Sequence, residues 1–213
     1  MALSEDTRKE TERVRRVQDK GAPKYDREMD FFDRILFKGG REWACSRAQG
    51  KVLEIAMGTG RNLPHHRDDI ELSGIELSPQ MLEIAKQRAT ELGREADFRL
   101  GDAQALDFPD ASFDSVVCTL ALCTIPDDGA AVAEAYRVLR PGGRFSLLEH
   151  VRSPALAVRG VQRLIEPLSV RFEADHLTRE PLEHLSDVGF EVEEIERSKW
   201  GIVERVLARK PGG

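Results

Sequence analysis

Between Val52 and Leu63 the chain reads Val-Leu-Glu-Ile-Ala-Met-Gly-Thr-Gly-Arg-Asn-Leu, and few folds accept that order. The short apolar run Val52 to Ile55 suits a strand in the middle of a parallel sheet. Gly58 and Gly60 let the backbone take φ > 0 and press against a ligand that any Cβ would push away. Glu54 then falls at the carboxyl end of the strand, where open α/β sheets bind ligands. A tight strand-to-helix turn without a ligand has the same local signature, so the rest of the chain must decide.

From Lys51 onward, strands and helices alternate. Strands are predicted at 51–56, 70–75, 96–100, 113–119, 144–150, 190–197 and 201–209. Helices are predicted from about 61 and over 79–92, 127–139, 155–171 and 178–188. Ser78 is a natural N-cap and Pro79 fits the first helical position, while Pro141-Gly-Gly143 reads as a stop. The short link between the last two strands makes the final one antiparallel. The fold class is therefore α/β, a Rossmann-like doubly wound, mostly parallel seven-stranded sheet with an antiparallel last strand and helices on both faces. Upstream, residues 4–20 read as a charged helix, with a break at Gly21-Ala-Pro23 and a second helical stretch over 25–45, interrupted near Gly39-Gly40. Residues 1–45 are thus an N-terminal helical lid segment and 46–213 the main domain, with a covering insertion near 152–177.

Composition narrows the function. The net charge of −6 and the interleaving of Arg13-Val-Arg-Arg16 with Glu10 and Glu12 argue against nucleic acid as a partner, because a phosphate-binding face needs concentrated cations. No apolar run approaches the roughly 18 residues of a membrane span, and Met1 to Lys20 lacks the apolar core of a secretory signal. Cys45, Cys118 and Cys123 show no pairing pattern, as expected of reduced thiols in a cytoplasmic protein. No cluster at metal-ligand spacing appears, so no metal is expected.

Three acids fall at the carboxyl ends of successive predicted strands: Glu54, Glu76 and Asp102. In a doubly wound sheet these ends share one rim. Glu76 lies fewer than about 20 residues beyond the glycines, where an acid can accept hydrogen bonds from ribose hydroxyls. A dinucleotide would need a third small residue where Leu63 stands, and its pyrophosphate would meet Glu54. A cationic cofactor suits the acids better.

These residues resemble the class I S-adenosylmethionine-dependent methyltransferases over roughly residues 25–210. Val52 to Gly60 looks like the family's glycine-rich motif, Gly74 to Ser78 its ribose-binding acid, and Gly101-Asp-Ala103 its adenine contact. Phe108 to Val117 looks like its fourth strand and Arg137 to Gly143 its helix-to-strand turn. The resemblance implies S-adenosyl-L-methionine as cofactor and S-adenosyl-L-homocysteine as product. It implies that Glu54 and Gly58 flank the methionine part and Glu76 the ribose. Leu77 and Ala103 would sandwich the adenine, with Asp102 accepting from its amine and the Thr119 carbonyl holding the amino group. Ala56, Gly60, Asn62, Met81 and Leu120 complete the implied cofactor contacts, and Tyr25 resembles a lid residue. Ala56 departs from the family, which usually has glycine there.

Within the superfamily, Cys118 to Thr124, Glu149-His-Val151 and Leu177 to Glu180 resemble the small thiol methyltransferases. Bacterial phospholipid and quinone methyltransferases share much of the pattern. The membrane-bound thiol enzymes begin with an apolar anchor that Met1 to Lys20 does not match, which implies a version without a transmembrane anchor. The resemblance thus implies methyl transfer to a small-molecule acceptor, a lipophilic nucleophile and by preference a thiol. The alternatives are a phospholipid amine, a quinol, a natural-product hydroxyl, or a non-catalytic cofactor-binding subunit. His150, at the carboxyl end of the fifth strand, is the candidate general base, and Asp175 and His176 sit just before the helix opened by Thr178. Leu156, Val161, Leu164, Ile165, Leu168 and Phe172 are expected to line that cover. His65 and His66 are expected on a solvated face. Oligomeric state is open at this level.

Overall fold

A computed structural model describes residues 3–212. Its seven strands are β1 (Lys51–Glu54), β2 (Glu71–Glu76), β3 (Asp97–Leu100), β4 (Phe113–Thr119), β5 (Leu139–His150), β6 (Glu191–Ser198) and β7 (Val203–Arg209). They form one sheet in the order β3-β2-β1-β4-β5-β7-β6. Strand β7 runs antiparallel to both neighbours, and the pairs from β3 through β5 are parallel. The topology is the one predicted. Strand order reverses between β1 and β4, where Leu53 pairs with Val116, and the crevice beyond those carboxyl ends is where such sheets hold ligands.

Alternation along the strands divides the core. Leu53, Ile55, Val116 and Leu147 face one side, with Ala131, Val132 and Ala135 of α4 (Asp128–Val138) and Leu185 of α6 (Pro181–Asp187). Val52, Leu72, Val117 and Leu148 face the other, against α2 (Gly40–Ser46) and α3 (Pro79–Glu91). Helices therefore cover both faces, and each fully buried Leu or Ile in these layers contributes about 1.5–3 kcal/mol. At the start of α3 the expected cap is in place: Ser78 Oγ accepts from the Met81 N–H at 3.1 Å, with Pro79 in the first turn.

Two expectations are corrected. The N-terminal segment does not break at Gly21-Ala-Pro23; α1 runs unbroken from Glu5 to Ile35. Pro23 removes one helical N–H and costs about 3 kcal/mol, but the helix is pinned on both sides of it. Asp19 accepts from Ser78 Oγ at 2.5 Å, Asp26 accepts from Thr59 Oγ1 at 2.6 Å and from Arg88, and Val14 and Ala22 are buried. Nor does an α-helix follow the glycine turn. A single 3-10 turn, Leu63–His65, leads to β2, because Asn62 and His66 turn inward to Glu54 and β2 begins at Glu71. The remaining helix, α5 (Leu156–Glu173), follows β5. Among the described residues no helix is long and apolar enough to cross a membrane.

Candidate active site

At the reversal point the chain is strained on both strands. Ala56, just past β1, has φ +49°, and Leu120, just past β4, has φ +55°. A Cβ in this region costs roughly 1–2 kcal/mol, and such outliers gather where surrounding structure enforces a special backbone path. Gly58 and Gly60 also have positive φ, but they serve different ends. A Cβ on Gly58 would meet only Cε1 of Tyr25, at 4.0 Å, whereas one on Gly60 would strike Leu63 at 2.8 Å and Ala85 at 3.2 Å. Gly58 thus opens toward α1 and the crevice, and Gly60 lets the turn pack on α3.

Glu76 is buried and organises this turn. Its Oε2 accepts from the Gly58 N–H and its Oε1 from the Ser78 N–H, both at 2.8 Å. Burial raises its pKa above the ordinary carboxylate value, and the backbone donors offset this only in part. Glu76, Leu77, Ala56, Asp102 and Ala103 line one small cavity together with Gln104 and Ile125. The side chains of Val14 and Gln18 on α1 complete its wall. What they leave is about 20 Å³, room for one water. Gln104 ties the wall together: its amide nitrogen donates to Thr11 Oγ1 on α1 at 3.0 Å and to Asp102 at 2.9 Å, and its oxygen accepts from the Asp127 N–H at 2.9 Å. Of the remaining predicted contacts, Met81 is buried in the first turn of α3.

Glu54 does not join Glu76 and Asp102 on that wall. It is 1% exposed, with Oε1 accepting from Asn62 Nδ2 at 2.9 Å and Oε2 2.7 Å from His66 Nε2. His66 is therefore a buried partner and not a solvated residue. Asn62 Nδ2 also donates to Thr119 Oγ1 at 2.8 Å. Arg41, from α2, donates to Asn62 Oδ1 and Thr119 Oγ1 at 3.1 Å each and forks onto Asp33. Its Nη2 is buried without a partner among the described residues, a cationic donor left unused beside the glycine turn.

The third cluster lies past β5. His150 Nε2 is 2.9 Å from Asp175 Oδ1, and His150 Nδ1 is buried and unpartnered. Burial alone would lower the imidazole pKa, but Asp175 and Glu149 outweigh it and raise it above the ordinary value. Burial would raise Asp175, and His150 more than reverses this, so its carboxyl stays low. An ionised Asp175 accepts a hydrogen bond from the Nε2–H, leaving Nδ1 as the free base. Cys123, His150 and Asp175 bring one donor atom each within 4.8 Å of one another. Burial, then Asp175 and Glu149, push the Cys123 thiol well up, which keeps it protonated. Arg41, Gln104 and the partnership of Asp175 with His150 were not visible in the sequence.

Residues 53–147 match the family model described as a methyltransferase domain. The chain is 35% identical over 154 residues to the demethylmenaquinone methyltransferase of Thermus thermophilus, covering 67% of this chain and 68% of that protein. It is 35% identical over 126 residues to the phosphatidylethanolamine N-methyltransferase of Cereibacter sphaeroides, covering 58% of this chain and 60% of that protein. The chain spans 56 to 68% of the length of three curated relatives that it matches. A SAM-dependent methyltransferase structure from Thermotoga maritima superposes with a TM-score of 0.71 at 22% identity, over 92% of this chain and 99% of that one.

Proposed function

We propose that this chain, which belongs to the S-adenosylmethionine-dependent methyltransferase family, transfers a methyl group to a lipophilic small molecule of the quinol or phospholipid kind. The observation that carries the reading is the shared wall of Glu76, Leu77, Asp102, Ala103 and Ala56 at the strand-order reversal. The donor set suits the cofactor. The Glu76 carboxylate would accept from the ribose hydroxyls, and Asp102 from the adenine amine, with Leu77 and Ala103 on the ring faces. Gly58, Leu120 and the Thr119 backbone would border the methionine part, and the unpartnered Arg41 Nη2 offers a cation for its carboxylate. The space is held by α1, so Val14 and Gln18 must move aside for adenosine to enter. That gives residues 5–35 the role of lid, with Tyr25 over the glycine turn. Asn62 and Glu54 support this turn from behind, and Gly60 supports it by packing on α3.

When bound, the cofactor supplies an electrophilic methyl group on a sulfonium. The protein's task is to align an acceptor with that methyl group and to take up the acceptor's proton. His150 Nδ1 is the base we assign, with Asp175 orienting the ring. A base at this point serves a phenolic quinol and a phospholipid amine alike. The names of the relatives point to these acceptors, and none supports the thiol expected from the motifs around Cys118 and His150.

Calorimetric titration with S-adenosylhomocysteine, followed by labelled methyl transfer to a panel of a demethylquinol, phosphatidylethanolamine and an alkyl thiol, tests the reading. Binding of S-adenosylhomocysteine and transfer to either of the first two acceptors is the expected result. No binding removes the cofactor assignment, and transfer to the thiol alone restores the original preference.

A further inference from the structure

Helix α5 presents the wrong side to the protein. Its 18 residues carry a polar face that is turned inward and held by hydrogen bonds. Gln162 is buried; its amide donates to the carbonyls of Val151 and Leu177 at 2.9 Å each and accepts from the Ser153 N–H at 2.9 Å. Glu166 accepts from Thr178 Oγ1 at 2.8 Å, and the Val170 carbonyl accepts from Arg13 of α1 at 3.2 Å. The apolar face points outward. Leu164 is 79% exposed, Phe172 67%, Leu168 60%, Val161 59% and Ile165 46%. At 100° per residue these five fall within one arc of about 100°. The sequence led us to expect them in a cover over the crevice; instead they face away from the protein.

Two features say what this face meets. Arg171 is exposed on α5, about 20° beyond the edge of that arc, and has no carboxylate in ion-pair range among the described residues. At the amino end of the helix Trp200 is 74% exposed on the β6–β7 turn, which is tied to the helix entry by Ser153 Oγ donating to the Trp200 carbonyl at 2.6 Å. An outward apolar stripe with a cation on its flank and an aromatic at its end matches the boundary between lipid headgroups and acyl chains. The same stripe on a second copy of the chain offers Arg171 no carboxylate, whereas a lipid phosphate pairs with it.

We propose that α5 docks this protein on an anionic lipid bilayer, with Leu164, Leu168 and Phe172 in the acyl boundary and Arg171 on a lipid phosphate. Since the chain carries a net charge of −6, only a face with unpaired cations can approach such a surface. The last residue of α5 is followed by Ala174 and Asp175, the partner of His150. Docking thus brings the bilayer to the side of the proposed base, where a lipid-borne acceptor enters.

The test is co-sedimentation of the full chain, without cofactor, with vesicles of phosphatidylcholine alone and of phosphatidylcholine mixed equally with phosphatidylglycerol. The chain should pellet with the anionic vesicles, less so at high salt, with a blue shift of tryptophan emission. The double variant Leu164→Asp/Leu168→Asp should bind at least about tenfold more weakly while keeping its affinity for S-adenosylhomocysteine, which shows that the fold is intact. If the natural chain stays in the supernatant with both vesicles, or the double variant pellets equally well, the proposal falls. A concentration-dependent dimer in sedimentation velocity, lost in the double variant without any vesicle binding, would also overturn it and assign the stripe to a second copy. Vesicle binding is read without methyl transfer, so its failure leaves the catalytic assignment standing, and the reverse holds.

Discussion

Asp175 Oδ1 lies 2.9 Å from His150 Nε2, and the other ring nitrogen has no partner among the described residues. The carboxylate fixes the tautomer and raises the imidazole above its ordinary value of 6.5. A group charged more readily in the folded state stabilises the fold fully below its unfolded pKa, and this contribution is lost as pH rises through the folded value. Asp175, lowered from 3.8, stabilises above that value and ceases to as pH falls through its folded value. As a base, His150 must be neutral, so kcat/KM should climb with pH through a midpoint above 6.5. Asp175→Asn should move that limb to lower pH and reduce stability by about 1.5–3 kcal/mol. A pH–rate profile checks this; a variant with an unmoved midpoint would leave Asp175 a merely structural role.

Glu76 is predicted to dominate cofactor affinity. Two hydroxyl bonds to its charge make Glu76→Ala cost about 1.5–3 kcal/mol of S-adenosylhomocysteine binding, measured by calorimetry. Its folded pKa is raised, so folding binds extra protons between 4.5 and that value, and this group's contribution to stability falls as pH rises through the window. Cofactor binding runs the other way, because only the carboxylate accepts both hydroxyls. Affinity should decline on acidification from above 4.5, and Glu76→Gln should flatten that decline.

Ala56 holds φ +49° where the family resemblance calls for glycine. Ala56→Gly removes about 1–2 kcal/mol of backbone strain and gives back about 0.4–1 kcal/mol through the freer unfolded chain. We expect a net gain near 0.5 kcal/mol in urea unfolding. The substitution also takes a methyl group off the cavity wall, so S-adenosylhomocysteine should bind more tightly. Weaker binding would show that the methyl group contacts the cofactor favourably.

The sheet was legible because its strands are short apolar runs punctuated by glycine, proline and acids, a pattern local in sequence. Glu76 and Asp102 were legible for the same reason, since strand ends place them. Arg41 was not, because its partner Thr119 lies 78 residues away and no local spacing encodes that meeting. The continuity of α1 past Pro23 depends on Ser78, Thr59 and Arg88, again distant residues. The apolar stripe of α5 could be read from sequence, but not which way it faces. That is decided by Gln162 finding the backbone of Val151, Ser153 and Leu177.

Glu54 and Glu76 are both buried carboxylates, and the roles proposed for them differ. Glu54 sits in the sequence where a methionine contact was expected, yet it lies off the cavity wall that Glu76 shares with Asp102, and its oxygens meet Asn62 and His66. Removing it in Glu54→Ala leaves those buried donors unpaired, along with a cavity, and should destabilise the protein by about 3 kcal/mol or more. Affinity measured well below the melting temperature should change little. The contrast with Glu76→Ala is the decisive part: one variant should lose stability and keep its ligand, the other lose ligand and retain more of its stability. Paired urea melts and calorimetric titrations of the two resolve this, and a Glu54→Ala protein that folds well but binds poorly would return Glu54 to the cofactor.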